Sequence, residues 1–248
     1  SQTVARKPQP QLPLAVKQVE LKTVATPKPA AAPKPVETNS RKTVATELTP
    51  AVVSKVLVVS AEQRDENAVA AAEALISAGQ MQDAKIQLTT FIEANRVDVK
   101  SRALLATLLM NDGNMAGANA LLTSDKLDLS SHLRRLKAHW LAQNGQPNEA
   151  IALLNTNRPS IEADPEYHVL LAALYQQQGF SSEAVASYAE LLSYNPKVAD
   201  WWAGMAIALD SSQQYPSAKR AYQKALQMDG LRFELSAFAK QRLATIGG

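Results

Sequence analysis

Small and apolar residues recur at a nearly fixed period through most of the chain, from about residue 65 to residue 232. Two parallel series of alanines mark this period, and both series show spacings of 34, 32, 34 and 34 residues. The first series is Ala72, Ala106, Ala138, Ala172 and Ala206, and the second is Ala84, Ala118, Ala150, Ala184 and Ala218. Two small-residue positions per unit, each with large apolar residues at helical spacing around it, predict about five units of two helices each.

A glycine separates the two predicted helices in four of the five units, five residues before the second alanine. These glycines are Gly79, Gly113, Gly145 and Gly179, and the last unit has Gln213 in the same place. Two antiparallel helices that approach closely need a small side chain where they cross, and the turn between them needs a residue that tolerates φ > 0. Alanine and glycine meet those needs, so each unit is predicted to be a tightly packed helical hairpin.

The two C-terminal units carry the most complete pattern of large and small positions. One reads His168-x2-Leu171-Ala172-x2-Tyr175, then Gly179, Ala184-x3-Tyr188 and Pro196, and the next reads Trp202-x2-Met205-Ala206-x2-Leu209, then Ala218-x3-Tyr222. This pattern resembles the tetratricopeptide repeat (TPR) family, and the resemblance covers about residues 65–232. It implies an all-α fold, a superhelical solenoid of about five helix-turn-helix repeats. The implied repeats are about 65–98, 99–130, 131–164, 165–198 and 199–232.

One more helix is predicted after the last repeat. Apolar residues recur at Leu231, Leu235, Phe238, Leu243 and Ile246, which is typical of an amphipathic helix. Because a solenoid needs a terminal element over its last exposed core face, residues 233–246 are predicted to form a capping helix.

The third repeat departs from the pattern. Arg134 and Lys137 occupy positions that are usually large and apolar, and Asn157 and Arg158 replace the usual small and apolar pair at the end of its second helix. The single 32-residue spacing also falls just before this repeat. A local irregularity in helix stacking is therefore expected around residues 123–137.

The first 60 residues differ from the rest in composition. They contain eight of the 13 prolines and nine Lys/Arg against three Asp/Glu, whereas residues 61–248 contain 17 Lys/Arg against 20 Asp/Glu. Because proline fixes φ and removes a hydrogen-bond donor, residues 1–60 are predicted to be a disordered proline- and lysine-rich linker to a TPR domain at residues 61–248. Within the linker, AVVSKVLVVS at residues 51–60 is rich in β-branched residues. It is interpreted either as a strand that adds to a partner's sheet or as an apolar end of the linker.

Catalytic chemistry is hardly represented in the sequence. There is no cysteine, no nucleophile elbow, no phosphate-binding glycine loop and no cluster of metal-ligand residues. The protein is therefore predicted not to be an enzyme, and to use no catalytic residue, cofactor, metal or small-molecule substrate. His132 and His139 lie seven residues apart and share a helix face, where with Arg135 they form either a pH-sensitive basic patch or an ordinary surface. His168 fills a packing position and is expected in the core.

The formal net charge of +3 raises the possibility of nucleic-acid binding. The excess of positive charge lies in residues 1–60, which contain no aromatic side chain on which a base would stack, and the repeat domain is net acidic. Nucleic acid is therefore not expected as a partner, and proteins are.

The TPR resemblance also implies a binding surface, because in that family the first helix of each repeat lines the concave groove. The groove residues implied in this chain are Val69, Glu73, Ala103, Thr107, Met110, Arg135, His139, Val169, Ala173, Gln176, Ala203, Ile207 and Asp210. The Lys/Asn clamp with which some members hold a C-terminal carboxylate is not present. An extended or helical peptide on the apolar groove residues, with Arg135 contacting a charge, is the expected ligand.

A proline- and lysine-rich spacer followed by alanine-rich repeats also resembles the biogenesis proteins of the mannose-sensitive haemagglutinin (MSHA) type IV pilus. That resemblance implies a protein-binding assembly scaffold in the periplasm, with subunits of a pilus or secretion machine as partners. It also implies that the chain is part of an inner-membrane protein, associated with the membrane only through a segment that precedes Ser1. The alternative is a periplasmic activator or targeting factor for a peptidoglycan-synthesis enzyme.

Overall fold

The computed structural model describes residues 59–246, which contain twelve helices and no strand. The helices are α1 Ala61–Ser77, α2 Met81–Ala94, α3 Val99–Asn111, α4 Met115–Leu121, α5 Ser124–Leu127, α6 Ser131–Gln143, α7 Pro147–Asn155, α8 Pro165–Gln177, α9 Ser181–Tyr194, α10 Ala199–Ser211, α11 Tyr215–Leu226 and α12 Phe233–Ile246. Of the predicted linker at residues 1–60, the structure describes only Val59 and Ser60. The rest of the linker, including residues 51–58 of the segment rich in β-branched residues, lies outside the described residues. Within residues 59–246, none of the helices is both long and apolar enough to cross a membrane.

The helices form five antiparallel pairs, α1/α2, α3/α4, α6/α7, α8/α9 and α10/α11, as the alanine periodicity predicts. All ten alanines of the two series are 0% exposed. A close crossing requires a small buried side chain on each helix, such as the methyl group of alanine. A longer side chain would hold the two backbones apart. The prediction of an all-α TPR solenoid is confirmed.

Each hairpin turn contains a residue with positive φ, at the position where the sequence analysis places a glycine. Four repeats have glycine there with φ of 76° to 78°, and the fifth has Gln213 with φ of 62°. A non-glycine residue in this left-handed region is disfavoured by contact between its Cβ and the backbone. The last hairpin therefore contains a strained turn that the other four avoid.

Carboxylates fix the position of one repeat relative to the next. The buried carboxylate of Asp65 on α1 accepts hydrogen bonds from the backbone N–H groups of Lys100 and Ser101, at 2.8 and 2.9 Å, in the first turn of α3. Asp200 on α10 accepts similarly from the N–H of Arg232, at 3.2 Å, next to the start of α12. These bonds satisfy helix N-termini that would otherwise lack acceptors, so the angle between neighbouring first helices is held by hydrogen bonds as well as by packing.

The expected irregularity in the middle of the solenoid is present. α4 has only seven residues, and the four-residue helix α5 is inserted before α6. Arg134, which stands in a usually apolar position, is 6% exposed and donates hydrogen bonds to the carbonyls of Leu127, at 3.0 Å, and Asn157, at 2.9 Å. Leu127 is the last residue of α5 and Asn157 follows the short helix α7, so the arginine supplies donors to carbonyls at the ends of two short helices.

The helix α12 has the bounds predicted for the cap and occupies the place of a sixth first helix. Ala239 lies 33 residues after Ala206 and is also 0% exposed. It belongs to the same core cluster as Ile207 and Tyr222, with Phe238 packed against that cluster. The cap therefore covers the last repeat as a further repeat would.

A glycine allows a close approach between the fourth and fifth repeats. A Cβ added to Gly204 on α10 would lie 2.3 Å from Cζ of Tyr188 on α9, closer than non-bonded atoms come. Burial raises the pKa of the Tyr188 phenol to about 12. Any larger residue at position 204 would displace this ring.

The strained turn of the last hairpin leads to a stability prediction. Replacing Gln213 with glycine should raise the free energy of unfolding by roughly 0.5–1 kcal/mol, because relief of the left-handed strain exceeds the extra entropy of glycine in the unfolded chain. Urea denaturation followed by circular dichroism measures this. In the control Gln227→Gly, where φ is −83°, glycine should lower stability instead. A decrease in both variants would show that the turn at residue 213 is not strained.

Candidate functional site

The first helices of the repeats form one continuous surface. α1 contacts α3, α3 contacts α6, α6 contacts α8, and α8 contacts α10, while each second helix contacts the first helices on either side of it. The first helices therefore lie next to one another from repeat to repeat, and this arrangement places them on the inside of the superhelix. The residues implied as groove residues all lie on these five helices.

Eight of the implied groove residues keep exposed or partly exposed surface on the first four repeats; Asp210 of the fifth repeat is also partly exposed, but its side chain is only 8% exposed. The eight are Val69, Glu73, Thr107, Arg135, His139, Val169, Ala173 and Gln176. They come from α1, α3, α6 and α8, so the accessible part of the surface extends over the first four repeats.

The structure buries two larger residues that the sequence analysis assigns to the groove. Ile207 is 5% exposed and belongs to the core cluster that contains Ala239 of the cap. Met110 is 8% exposed and lies on α3, which contacts first helices on both sides. Neither side chain offers a partner a substantial surface, and the small Ala103 and Ala203 are buried as well.

Asp210, also assigned to the groove, is held by the cap. Its carboxylate accepts two hydrogen bonds from the guanidinium of Arg242, at 2.7 and 2.8 Å, and one from the phenol of Tyr222 at 3.2 Å. Burial, followed by the charge of Asp210, raises the pKa of the Tyr222 phenol far above its ordinary value. The bond to Asp210 also raises the pKa of Arg242. Asp210 therefore acts in attaching α12, since its hydrogen-bonding capacity is taken up inside the domain.

Arg135 remains at the surface, but its charge is compensated. Its Nε lies 3.3 Å from a carboxylate oxygen of Asp164, which is buried at the start of α8. The same carboxylate accepts from the Ser131 hydroxyl at 3.0 Å and from the backbone N–H of Tyr167 at 3.1 Å. Arg135 thus joins α6 to the N-terminus of α8, and a partner's carboxylate would share the guanidinium with Asp164.

The predicted basic patch is centred on α6. His132 is exposed, while His139 is half-buried. Burial and then the charge of Arg135 lower the pKa of His139 below the usual value for histidine. At neutral pH this side chain is therefore uncharged, and Arg135 is the permanent cation of the patch. His168 is buried, and its Nε2 lies 2.9 Å from the Pro159 carbonyl oxygen.

Within residues 59–246, no group of three or more His, Asp or Glu side chains is placed to hold a metal ion. The groove side chains combine small apolar surface with hydroxyl, amide and imidazole groups. Such a set is suited to binding a polypeptide segment and provides no evident nucleophile with an adjacent base.

Sequence reasoning assigned candidate residues only to first helices and overlooked a surface formed by a second helix. On α11, Arg220 and Lys224 stand one turn apart, exposed beside an apolar groove that has Trp202 on its floor. The available indication was two cations four residues apart, with no acidic residue on the same helix.

Solved structures of TPR proteins have the same fold. A tetratricopeptide repeat protein from Parabacteroides merdae gives a TM-score of 0.58 at 17% identity, over 75% of this chain and 77% of that chain. The RS-1 ArsTM double mutant of MamA gives 0.56 at 14% identity, over 66% of this chain and 93% of that chain. YrrB, described as a TPR protein with an unusual peptide-binding site, gives 0.55 at 16% identity, over 73% and 94%. No family model and no curated protein matches the sequence.

The attachment of the cap by Asp210 can be tested. Replacing Arg242 with methionine should lower the free energy of unfolding by about 1–3 kcal/mol, because a nearly buried carboxylate then loses its charged donor. Lys240→Met is the matched control, since Lys240 lies on the same helix, is exposed and makes no ion pair within residues 59–246. Hydrogen exchange should accelerate in α12 of the first variant only. Equal stability in the two variants would contradict the attachment.

Proposed function

We propose that the repeat domain is a non-catalytic scaffold that binds a segment of a partner protein on the concave face. The observation that carries the proposal is the accessible surface of three adjacent first helices, α3, α6 and α8, which the cap does not cover. A preformed surface of this kind binds a peptide without ordering itself first.

The chemistry of this surface favours an extended or helical segment with small apolar side chains. Val169 and Ala173 lie one turn apart on α8, and Thr107 on α3 keeps a partly exposed side chain. The buried Oε1 atom of Gln176 has no donor among the described residues. A turn of the Gln176 amide would bring this oxygen to the surface, where a backbone N–H of the bound segment would supply the donor, since a buried acceptor without a partner is costly.

The finer proposal concerns the machine in which the scaffold works. The proline- and lysine-rich residues 1–60 followed by alanine-rich repeats are similar to MshN, a biogenesis protein of the MSHA type IV pilus. On this basis the partners are subunits of a pilus or secretion machine in the periplasm, and the chain is held at the inner membrane by a segment that precedes Ser1. A long linker would raise the effective concentration of the scaffold near these partners, so that a weak groove contact suffices.

The alternative is a periplasmic factor that activates or targets a peptidoglycan-synthesis enzyme. It uses the same groove and differs only in the partner. Affinity capture from an envelope extract separates the two, because pilus assembly components are recovered in one case and cell-wall synthases in the other.

The test of the groove is a pair of variants with equal changes of charge. Val169→Arg with Ala173→Arg places two cations on the accessible concave face, whereas Ala152→Arg with Ala186→Arg places two on exposed positions of the second helices α7 and α9. The concave variant should lose the captured partner and the other should retain it, with helical circular dichroism unchanged in both.

Retention of the partner by a folded concave variant would overturn the proposed site. Loss in the second variant alone would move the binding surface to the second helices. If the concave variant unfolds, the capture is repeated with the smaller change Ala173→Ser. This variant should weaken recovery of the partner only slightly if the groove binds the partner.

A further inference from the structure

The two ends of the repeat domain carry opposite net charge. Residues 61–94, the first helical pair, contain six Asp/Glu and two Lys/Arg, for a net charge of −4. Residues 199–246, the last pair with the cap, contain four Asp/Glu and six Lys/Arg, for a net charge of +2. Opposite charge at the two ends of one elongated domain favours contact between the ends of different copies.

The positive end contains an apolar groove of about 380 Å³ between α10 and α11. Trp202, Met205 and Leu209 line it from α10, and Arg220 and Lys224 line it from α11. Arg220 donates a hydrogen bond to the hydroxyl of Ser217 at 3.0 Å, but neither cation makes an ion pair within the described part of the chain.

The two cations are specific to the last repeat. The positions 34 residues earlier, on α9, hold Ala186 and Glu190 in place of Arg220 and Lys224. Glu190 lies 3.9 Å from Arg158, which compensates its charge. Uncompensated positive charge beside an apolar groove is therefore not a consequence of the repeat pattern, which tolerates an acidic residue at the same position.

The negative end carries a surface of matching chemistry on α2. Ile86 is 65% exposed, although it is a large aliphatic residue. Asp83 lies one turn before it and Glu93 two turns after it, at offsets that share one helix face. Both acidic residues are exposed, and neither makes an ion pair with the residues described. An exposed apolar side chain flanked by carboxylates without ion pairs complements an apolar groove flanked by cations without ion pairs.

We propose that α2 of one copy docks in the groove between α10 and α11 of a second copy. Ile86 contacts the apolar floor formed by Trp202 and Met205, and Asp83, one turn away, pairs with Arg220 or Lys224. The contact joins two different surfaces, so it is head-to-tail and extends copies into an open chain unless the rotation between them closes a ring. It uses α2, α11 and the part of α10 that lines this groove, and leaves the accessible concave residues of α1, α3, α6 and α8 free. It does not depend on the function proposed for the concave face.

A mixing experiment distinguishes this contact from other forms of association. Variant one is Ile86→Lys, and variant two is Arg220→Glu with Lys224→Glu; each removes one of the two surfaces and changes only exposed residues. The full chain is examined by sedimentation velocity up to about 0.5 mM, because an interface built on one helix face is small and weak.

The expected result is an average mass that rises with concentration for the unchanged chain and stays at the monomer value for each variant. An equimolar mixture of the two variants should form a dimer and nothing larger, because one intact pair of surfaces remains. Raising the salt concentration should weaken the association, since exposed charges are screened. The control Lys197→Glu with Lys240→Glu makes the same change of net charge at other exposed positions and should still associate.

Four results would overturn the proposal. They are a monomeric unchanged chain over the whole range, a variant that still associates alone, a control that loses association, and a mixture of the two variants that does not pair. The last result would indicate that both copies use the same surface. Circular dichroism of each variant verifies that the helical content is unchanged.

Discussion

The close crossing of two helices at a pair of alanines is the contact on which the rest of this structure depends. Ten alanines, two in each hairpin, have no accessible surface. Because the crossing is filled by methyl groups, the remaining faces of each hairpin can serve other purposes: large side chains pack against neighbouring repeats, and the inner face of the first helices stays available. The shape of the concave surface follows from the spacing that these alanines allow.

At the end of the solenoid, the cap covers the last repeat and makes part of the groove inaccessible. The cap takes the place of a sixth first helix and engages Ile207 and Asp210, which would otherwise continue the groove. The accessible part of the groove therefore extends over the first four repeats. In the third repeat, Arg134 and the ion pair of Arg135 with Asp164 hold α6 in position against its neighbours, although the helices around it are short. Irregular local structure is thus compensated by buried polar contacts that leave the groove open.

The repeat units, their hairpin turns, the cap and the irregular third repeat were predictable because each depends on residues within one helical pair. Which of the individual groove residues remain accessible to a partner was not predictable. Whether Ile207 faces a partner or the core depends on how far α12 covers it, and nothing in the periodicity of α10 indicates that distance. The bond of Asp210 to the cap was not predictable for the same reason, since its partner Arg242 lies 32 residues away on another element. Contacts between repeats, unlike contacts within them, are hard to predict from the periodicity of a sequence.

The most direct test of the central contact compares two adjacent alanines of α8 with opposite environments. Ala172 is at the crossing and fully buried, whereas Ala173 is partly exposed in the groove. We expect Ala172→Leu to lower the free energy of unfolding by about 1–3 kcal/mol, because the added methylenes force the two helices apart. Ala173→Leu should change it by less than about 0.5 kcal/mol, as is usual for surface substitutions. Urea denaturation of both variants decides the matter, and an Ala172→Leu variant as stable as the unchanged protein would contradict the account.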